Sequence, residues 1–105
     1  MKKLIIAIMI IIIPTVTMAE EEKEDICKRM ADFGKTVMML RQKEFPLDKV
    51  MGTFADQPVK AQKLMKHIVI RAYKVPYYTT DSYKKKAVKK FYNKLYLECL
   101  QAKGE

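Results

Sequence analysis

The sequence predicts an all-α fold: a compact bundle of about four helices, closed by one disulfide and preceded by a signal peptide. Apolar residues recur at steps of three and four along most of the chain, which is typical of amphipathic helices. Pro46, Pro58 and Pro76 divide this pattern into segments. The two cysteines, Cys27 and Cys99, stand near opposite ends of the part that follows the signal.

Residues 1–19 have the three-part pattern of a secretory signal peptide. Two lysines come first, an unbroken apolar run follows at 4–13, and small residues at 17–19 form a cleavage site. An uncleaved anchor is the alternative, but ten apolar residues are fewer than the roughly 20 that span a bilayer. The pattern predicts export, either to the periplasm of a Gram-negative bacterium or out of the cell.

Residues 20–105 are predicted to form a single helical domain, with residues 20–25 as a flexible acidic start. A domain of this size buries only about 60% of the surface that its unfolded chain exposes. A disulfide between Cys27 and Cys99 would add about 4 kcal/mol in the chain-entropy model. Intermolecular pairing and free thiols are the alternatives. Because disulfides persist in oxidising compartments, the cysteine pair agrees with export.

The first helix is predicted from Glu24 to about Lys43. Gly34 interrupts its apolar stripe, which suggests a close helix crossing at that point. Pro46 then breaks the helix and is acceptable in the first turn of a second, short helix. The residues expected to face inward are Ile26, Met30, Phe33, Val37 and Leu40 in the first helix, and Leu47, Val50, Met51 and Phe54 in the second.

The third helix is predicted to have Asp56 as its N-cap, with Pro58 in its first turn, and to end before Pro76. Its inward residues are expected to be Ala61, Leu64, Met65, Ile68, Val69 and Ala72.

Residues 77–80 are too short and unpartnered to found a sheet, so we expect a loop. Thr80 or Asp81 is predicted to cap the fourth helix, which runs to about Gln101. Its inward residues are expected to be Val88, Phe91, Tyr92, Leu95 and Cys99, and the lysines opposite that stripe are Lys86, Lys89, Lys90 and Lys94.

Charge is segregated along the chain. The net charge of +9 falls to +7 once the two lysines of the signal are removed. Residues 20–25 carry five acids and one lysine, whereas residues 60–97 carry eleven basic residues and the single acid Asp81. Such a basic half favours anionic partners. A merely solvated face is the plain alternative.

Side chains for catalysis or metal binding are scarce. His67 is the only histidine, and its place beside the apolar stripe of the third helix favours a structural role. A metal site needs several ligands, and a widely spaced cysteine pair is more typical of a structural disulfide than of a redox couple. No phosphate-binding loop or nucleophile elbow is present. The sequence therefore predicts no enzyme, metal or cofactor.

The fourth helix is the best candidate for a binding surface because its lysines alternate with tyrosines. Lysine supplies charge attraction, and tyrosine adds apolar area and a hydroxyl group. Nucleic acid is disfavoured, because phosphate clamps and base readers use arginine and the chain has only three. The predicted partner-binding residues are Lys84, Lys85, Lys86, Lys89, Lys90, Lys94, Tyr77, Tyr78 and Tyr83.

A loose pattern of cysteines, small residues and adjacent pairs of residues runs along the domain. Its members are Cys27, Ala31, Gly34, Val37, Met38, Arg41 and Gln42, then residues 61–73, Pro76 and Cys99. In this pattern the chain resembles small exported proteobacterial proteins with one disulfide. The general plan is similar to periplasmic acid-stress chaperones and to helical immunity proteins that neutralise type VI secretion toxins. The resemblance implies a non-catalytic, protein-binding role, allows a homodimer, and transfers no site residue.

We therefore expect a small exported, non-enzymatic binding protein that acts on another protein with an acidic surface, in the manner of an inhibitor or immunity protein. The alternative is peripheral binding to an anionic envelope surface, lipid or lipopolysaccharide, through the basic last helix. A periplasmic chaperone is a third function. It is disfavoured because the chain has few acids and one histidine to titrate.

Overall fold

Between residues 2 and 102 the chain forms four helices, as the sequence predicts. The structure is a computed structural model that describes the backbone of residues 2–102 and the side chains of residues 22–102. The predicted signal peptide, residues 1–19, lies outside the described side chains. No strand occurs between residues 2 and 102, and residues 77–80 lie in a loop, as predicted. The helices are α1 (Lys2–Gln42), α2 (Leu47–Gly52), α3 (Val59–Tyr73) and α4 (Asp81–Gln101).

Helices α1 and α4 form the central pair and run antiparallel. At one end Cys27 is bonded to Cys99, with their Cα atoms 5.4 Å apart. At the other end the Nζ of Lys84 donates a hydrogen bond to the main-chain oxygen of Gln42 at 3.1 Å. The disulfide predicted between the first and last helices is therefore confirmed. Together the two links fix the register of α4 along α1.

Gly34 marks a close approach of α1 to α4. A Cβ atom at this position would collide with Cδ1 of Leu95 and would lie 3.2 Å from the ring of Phe91. Both of these side chains are buried, so they fill the space above the glycine. The close crossing predicted from the sequence is confirmed.

The core lies between α1 and α4, and α3 and the α2 segment pack against it. Phe33 of α1 meets Phe54 edge to face, with ring centroids 6.0 Å apart. This contact joins α1 to the segment that follows α2. The buried core residues are Ala31, Val37, Met38, Val50, Phe54, Ile68, Val69, Ala72, Ala87, Phe91 and Leu95.

Three predicted inward residues are exposed, and these predictions are wrong. Ile26 is 63% exposed, Leu64 47% and Leu47 43%. In α1 the inward row begins at Cys27, because the disulfide and the Gly34 contact turn the side with small residues toward α4. In α3 the adjacent residues Ile68 and Val69 point into the core, which leaves Leu64 at the edge of the buried face.

The start of α3 also differs from the prediction. Pro58 is the N-cap residue, and no side chain caps the helix, so Asp56 does not have the predicted role. Gln62 takes over the local hydrogen bonding, because its Nε2 donates to the main-chain oxygens of Ala55 at 2.9 Å and Gln57 at 2.6 Å. A side chain inside the first turn thus ties α3 to the preceding turn.

Thr80, the first of the two candidates, is the N-cap of α4. Its Oγ1 accepts a hydrogen bond from the main-chain nitrogen of Tyr83 at 3.4 Å. Asp81 is the first residue of the helix, where a negative charge is favourable to the helix dipole. The predicted end of α4 at Gln101 is confirmed.

Residues 20–25, which the sequence predicts as a flexible acidic start, belong to helix α1. Asp25 forms an ion pair with Arg29 at 3.1 Å, one turn further along the helix. The Nζ of Lys23 donates to the main-chain oxygen of Ala102 at 2.8 Å. Glutamate and lysine are good helix formers. Their propensity and these two contacts let the helix continue through the acidic residues. The acids therefore lie at the disulfide end of the bundle.

Replacing Gly34 by alanine should destabilise the protein relative to the same change at Gly52. Both substitutions gain the helix propensity of alanine, up to about 1 kcal/mol, but a Cβ atom at Gly52 would meet nothing within 4 Å. Overpacking against Leu95 and Phe91 should therefore separate the two unfolding free energies, measured by urea denaturation, by about 1–3 kcal/mol. Equal stability of G34A and G52A would contradict the close crossing.

Candidate functional site

An open groove of about 1020 Å³ lies between α1 and α4. Lys35 of α1 and Lys43 of the turn after α1 line one side. The lysines that line it from α4 are Lys84, Lys85, Lys86 and Lys89. Its apolar lining comes from Met39, Val88 and Tyr92, and two acids, Asp32 and Asp81, also reach it. The groove therefore places positive charge on both sides of an apolar strip.

Helix periodicity explains why these side chains meet. On α1, Lys35 and Met39 are four residues apart and lie in one row along the helix. Lys43 follows four residues later, in the turn after α1. On α4, Val88 and Tyr92 are half-buried and pack against the core. Lys85 lies about two turns before Tyr92 and Lys89 about one turn before it, and both lysines are exposed. The α1–α4 register brings the two rows to opposite sides of the same groove.

The sequence predicts a partner-binding role for Lys84, but the structure commits its ammonium group to contacts within the fold. The Nζ atom donates to the main-chain oxygen of Gln42 and to the hydroxyl of Tyr77, each at 3.1 Å. It also lies 4.5 Å from the centroid of the Tyr77 ring, in a cation–π contact. Lys84 thus borders the groove and holds the start of α4 against the end of α1.

Tyr77 and Tyr78 also belong to the internal packing, because the loop that carries them is bound to the end of α1. Gln42 is only 3% exposed. Its Nε2 donates to the main-chain oxygen of Pro76, and its Oε1 accepts from the main-chain nitrogen of Tyr78, both at 3.0 Å. The Nε of Arg41 donates to the main-chain oxygen of Val75 at 3.0 Å. The end of α1 therefore fixes this loop.

Gln42 is a residue of the candidate site that the sequence does not predict. Apolar periodicity cannot find a buried polar residue, since its burial depends on the loop that it binds. The sequence points to Gln42 only through the adjacent pair Arg41 and Gln42, which belongs to the loose pattern on which the resemblance rests. That pattern gives neither residue a role.

A second network joins the same region to α3. The hydroxyl of Tyr73 donates to the main-chain oxygen of Phe45 at 2.6 Å, and the guanidinium of Arg41 lies 5.4 Å from the Tyr73 ring centroid. Burial raises the pKa of Tyr73, and the charge of Arg41 opposes that rise. The tyrosine hydroxyl is therefore a stable donor at neutral pH.

The other predicted binding residues divide between two sides of α4. Lys85 and Lys89 line the groove, whereas Lys90 and Lys94 are exposed and do not line it. Lys86 borders the groove, and its Nζ lies 5.4 Å from the centroid of the Tyr83 ring. The structure thus separates a set of lysines that the sequence treats as one surface.

Near the end of α4, Glu98 is paired with α3. Two nitrogens of Arg71 donate to its two carboxylate oxygens at 2.8 and 3.1 Å. This hydrogen bonding lowers the pKa of Glu98, and the charges of Arg71, Lys94 and His67 lower it further. His67 itself is exposed on α3.

Among residues 22–102, no group of three histidine, cysteine or acidic side chains is placed to hold a metal ion. Within residues 22–102, no helix is long and apolar enough to cross a membrane. No protein-family model, curated protein or solved structure matches the chain.

Replacing Lys84 by methionine should destabilise the fold, whereas the same change at Lys85 should not. Methionine keeps the length of the side chain but loses the hydrogen bonds to Gln42 and Tyr77, so K84M should lower the unfolding free energy by about 1–2 kcal/mol. K85M removes an equal charge from an exposed position and should stay within about 0.5 kcal/mol of wild type. Equal urea midpoints for the two variants would contradict the internal role of Lys84.

Proposed function

We propose that this chain is a small exported binding protein, without catalytic activity, that holds an acidic segment of another protein in the groove between α1 and α4. The observation that carries the proposal is the placement of lysines on both sides of an apolar strip. A groove of this kind suits a helix or extended segment with one apolar side and flanking carboxylates.

The apolar strip offers the contact area for such a segment. Met39 is 42% exposed, and Val88 and Tyr92 are half-buried at the base of the groove. Tyrosine and methionine are enriched where proteins bind one another, because they combine large contact area with adaptable packing. Burial of these three side chains by a partner would supply the hydrophobic part of the binding energy.

The flanking lysines select the charge of the partner. Lys35 lies on α1 and Lys43 just after its end, and Lys85 and Lys89 lie one turn apart on α4. Carboxylates on either edge of a bound segment can therefore pair with an ammonium group. Asp32 and Asp81 partly offset this charge, but six lysines, Lys84 included, line the groove against these two acids. The excess would also raise the association rate with an acidic protein, in a salt-dependent way.

An inhibitor or immunity role fits this design, because such proteins act by occupying an acidic surface and need no chemistry of their own. The disulfide supports an oxidising location such as the periplasm. The rigid attachment of the 75–78 loop to α1 supports a preformed groove, which reduces the entropy cost of binding.

The test is capture of the partner from envelope extract with a carbodiimide, which joins carboxylates to lysine amines. We expect one stoichiometric partner, with cross-links at the groove lysines. Reversing two groove charges in K85E/K89E should weaken binding of that partner at least tenfold, about 1.4 kcal/mol. The matched double variant K90E/K94E has the same net charge and should bind nearly as wild type.

Three results would contradict the proposal. One is capture of no partner or only of a second copy of this chain. The second is a captured protein whose cross-links avoid the groove. The third is an equal loss of affinity in the two double variants, which would show that net charge rather than the groove determines binding.

A further inference from the structure

A second surface lies on α4 beside the groove, and of its residues only Lys86 also lines the groove. Lys86, Lys90 and Lys94 are spaced by four residues and form a row about 12 Å long. Tyr83 and Leu97 stand three residues before and after the row, and they are 56% and 55% exposed. We call these five residues the outer face of α4.

The acids of α4 offset the charge of the outer face only in part, through the interaction of Glu98 with Lys94. Asp81 lines the groove, and the carboxylate of Glu98 is already bound by both guanidinium nitrogens of Arg71. His67 is the other α3 residue whose charge affects the pKa of Glu98, and it adds no negative charge. The outer face is therefore cationic, and α3 contributes no acid beside it.

We propose that the outer face of α4 docks on the surface of an anionic phospholipid bilayer. The surface combines two large exposed side chains with a row of lysines and lies along one helix. Tyrosine and leucine can enter the headgroup region while the lysine ammonium groups reach the lipid phosphates. Lysine suits this task, because headgroup phosphates offer many weak contacts and no single bidentate partner.

Charge complementarity favours lipid over a protein as the occupant of this face. Specific protein partners usually need a concave or shape-matched contact, and the described concavity lies beside the outer face and shares only Lys86 with it. A bilayer needs only a row of cations and shallow apolar anchors. Because Lys90 and Lys94 do not line the groove, this inference does not depend on the proposed function.

The test is co-sedimentation of the exported protein, with its N-terminus established by mass spectrometry, with vesicles of phosphatidylcholine containing phosphatidylglycerol. Vesicles of phosphatidylcholine alone measure any binding that does not depend on charge. Each lysine near an anionic bilayer strengthens binding about fivefold, so K90E/K94E should bind at least about 25-fold more weakly. K85E/K89E, equal in net charge, should lose less than about fivefold.

A fluorescence measurement tests the orientation independently, because the chain has no tryptophan. Tyr83→Trp should show a blue shift of its emission when phosphatidylglycerol vesicles are added, and high salt should reverse the shift. Val59→Trp, at a site on α3 that is 70% exposed, should show none.

The inference is overturned if both charge-reversed variants lose vesicle binding to the same extent, or if the Tyr83→Trp emission does not move. Binding to lipopolysaccharide without binding to phosphatidylglycerol vesicles would overturn it as well. Partner capture through Lys85 and Lys89 is measured separately, so either proposal can fail while the other stands.

Discussion

The close approach of α1 to α4 at Gly34 is the contact on which the rest of the structure depends. Leu95 and Phe91 occupy the space that a side chain at position 34 would fill. This contact brings the backbones of α1 and α4 close enough for a core to form between them. The Cys27–Cys99 bond at one end and the Lys84–Gln42 hydrogen bond at the other keep α4 in register along α1.

That register decides which lysines are available for binding. Six lysines occur on α4 within eleven residues, from Lys84 to Lys94. Because Phe91 and Leu95 must point at Gly34, Lys84 is turned toward α1, Lys85 and Lys89 toward the groove, and Lys90 and Lys94 away from it. One packing constraint thus converts a uniform basic helix into surfaces with different neighbours. The two proposed partners, an acidic protein segment and an anionic bilayer, correspond to two of these surfaces.

The sequence predicts much of the fold because its main signals are local. Apolar periodicity and prolines locate the helices, Thr80 marks the start of α4, and Gly34 marks the crossing. The predictions for Ile26 and Leu64 are wrong. Apolar periodicity shows that a helix has an apolar face, but tertiary contacts determine which residues lie at the centre of that face. Asp56 was misassigned because a cap depends on backbone geometry, and here Pro58 occupies the N-cap position.

The candidate site was less predictable, since it depends on long-range contacts. Composition identifies α4 as basic and aromatic, but only the three-dimensional structure separates internal from exposed residues. Gln42 and Lys84 lie 42 positions apart in the sequence, and nothing local to either residue predicts that they meet. Tyr77 and Tyr78 likewise have a structural role, because Gln42 and Arg41 bind the loop that carries them.

The most direct test of this account is the reactivity of each lysine of the native protein toward a small amine-modifying reagent, followed by peptide mass spectrometry. We expect Lys84 to react much more slowly than its neighbours Lys85 and Lys86, because its Nζ is hydrogen-bonded to Gln42 and Tyr77. The difference should vanish after unfolding. Modification of Lys84 as fast as Lys85 in the folded protein would contradict the register of α1 and α4.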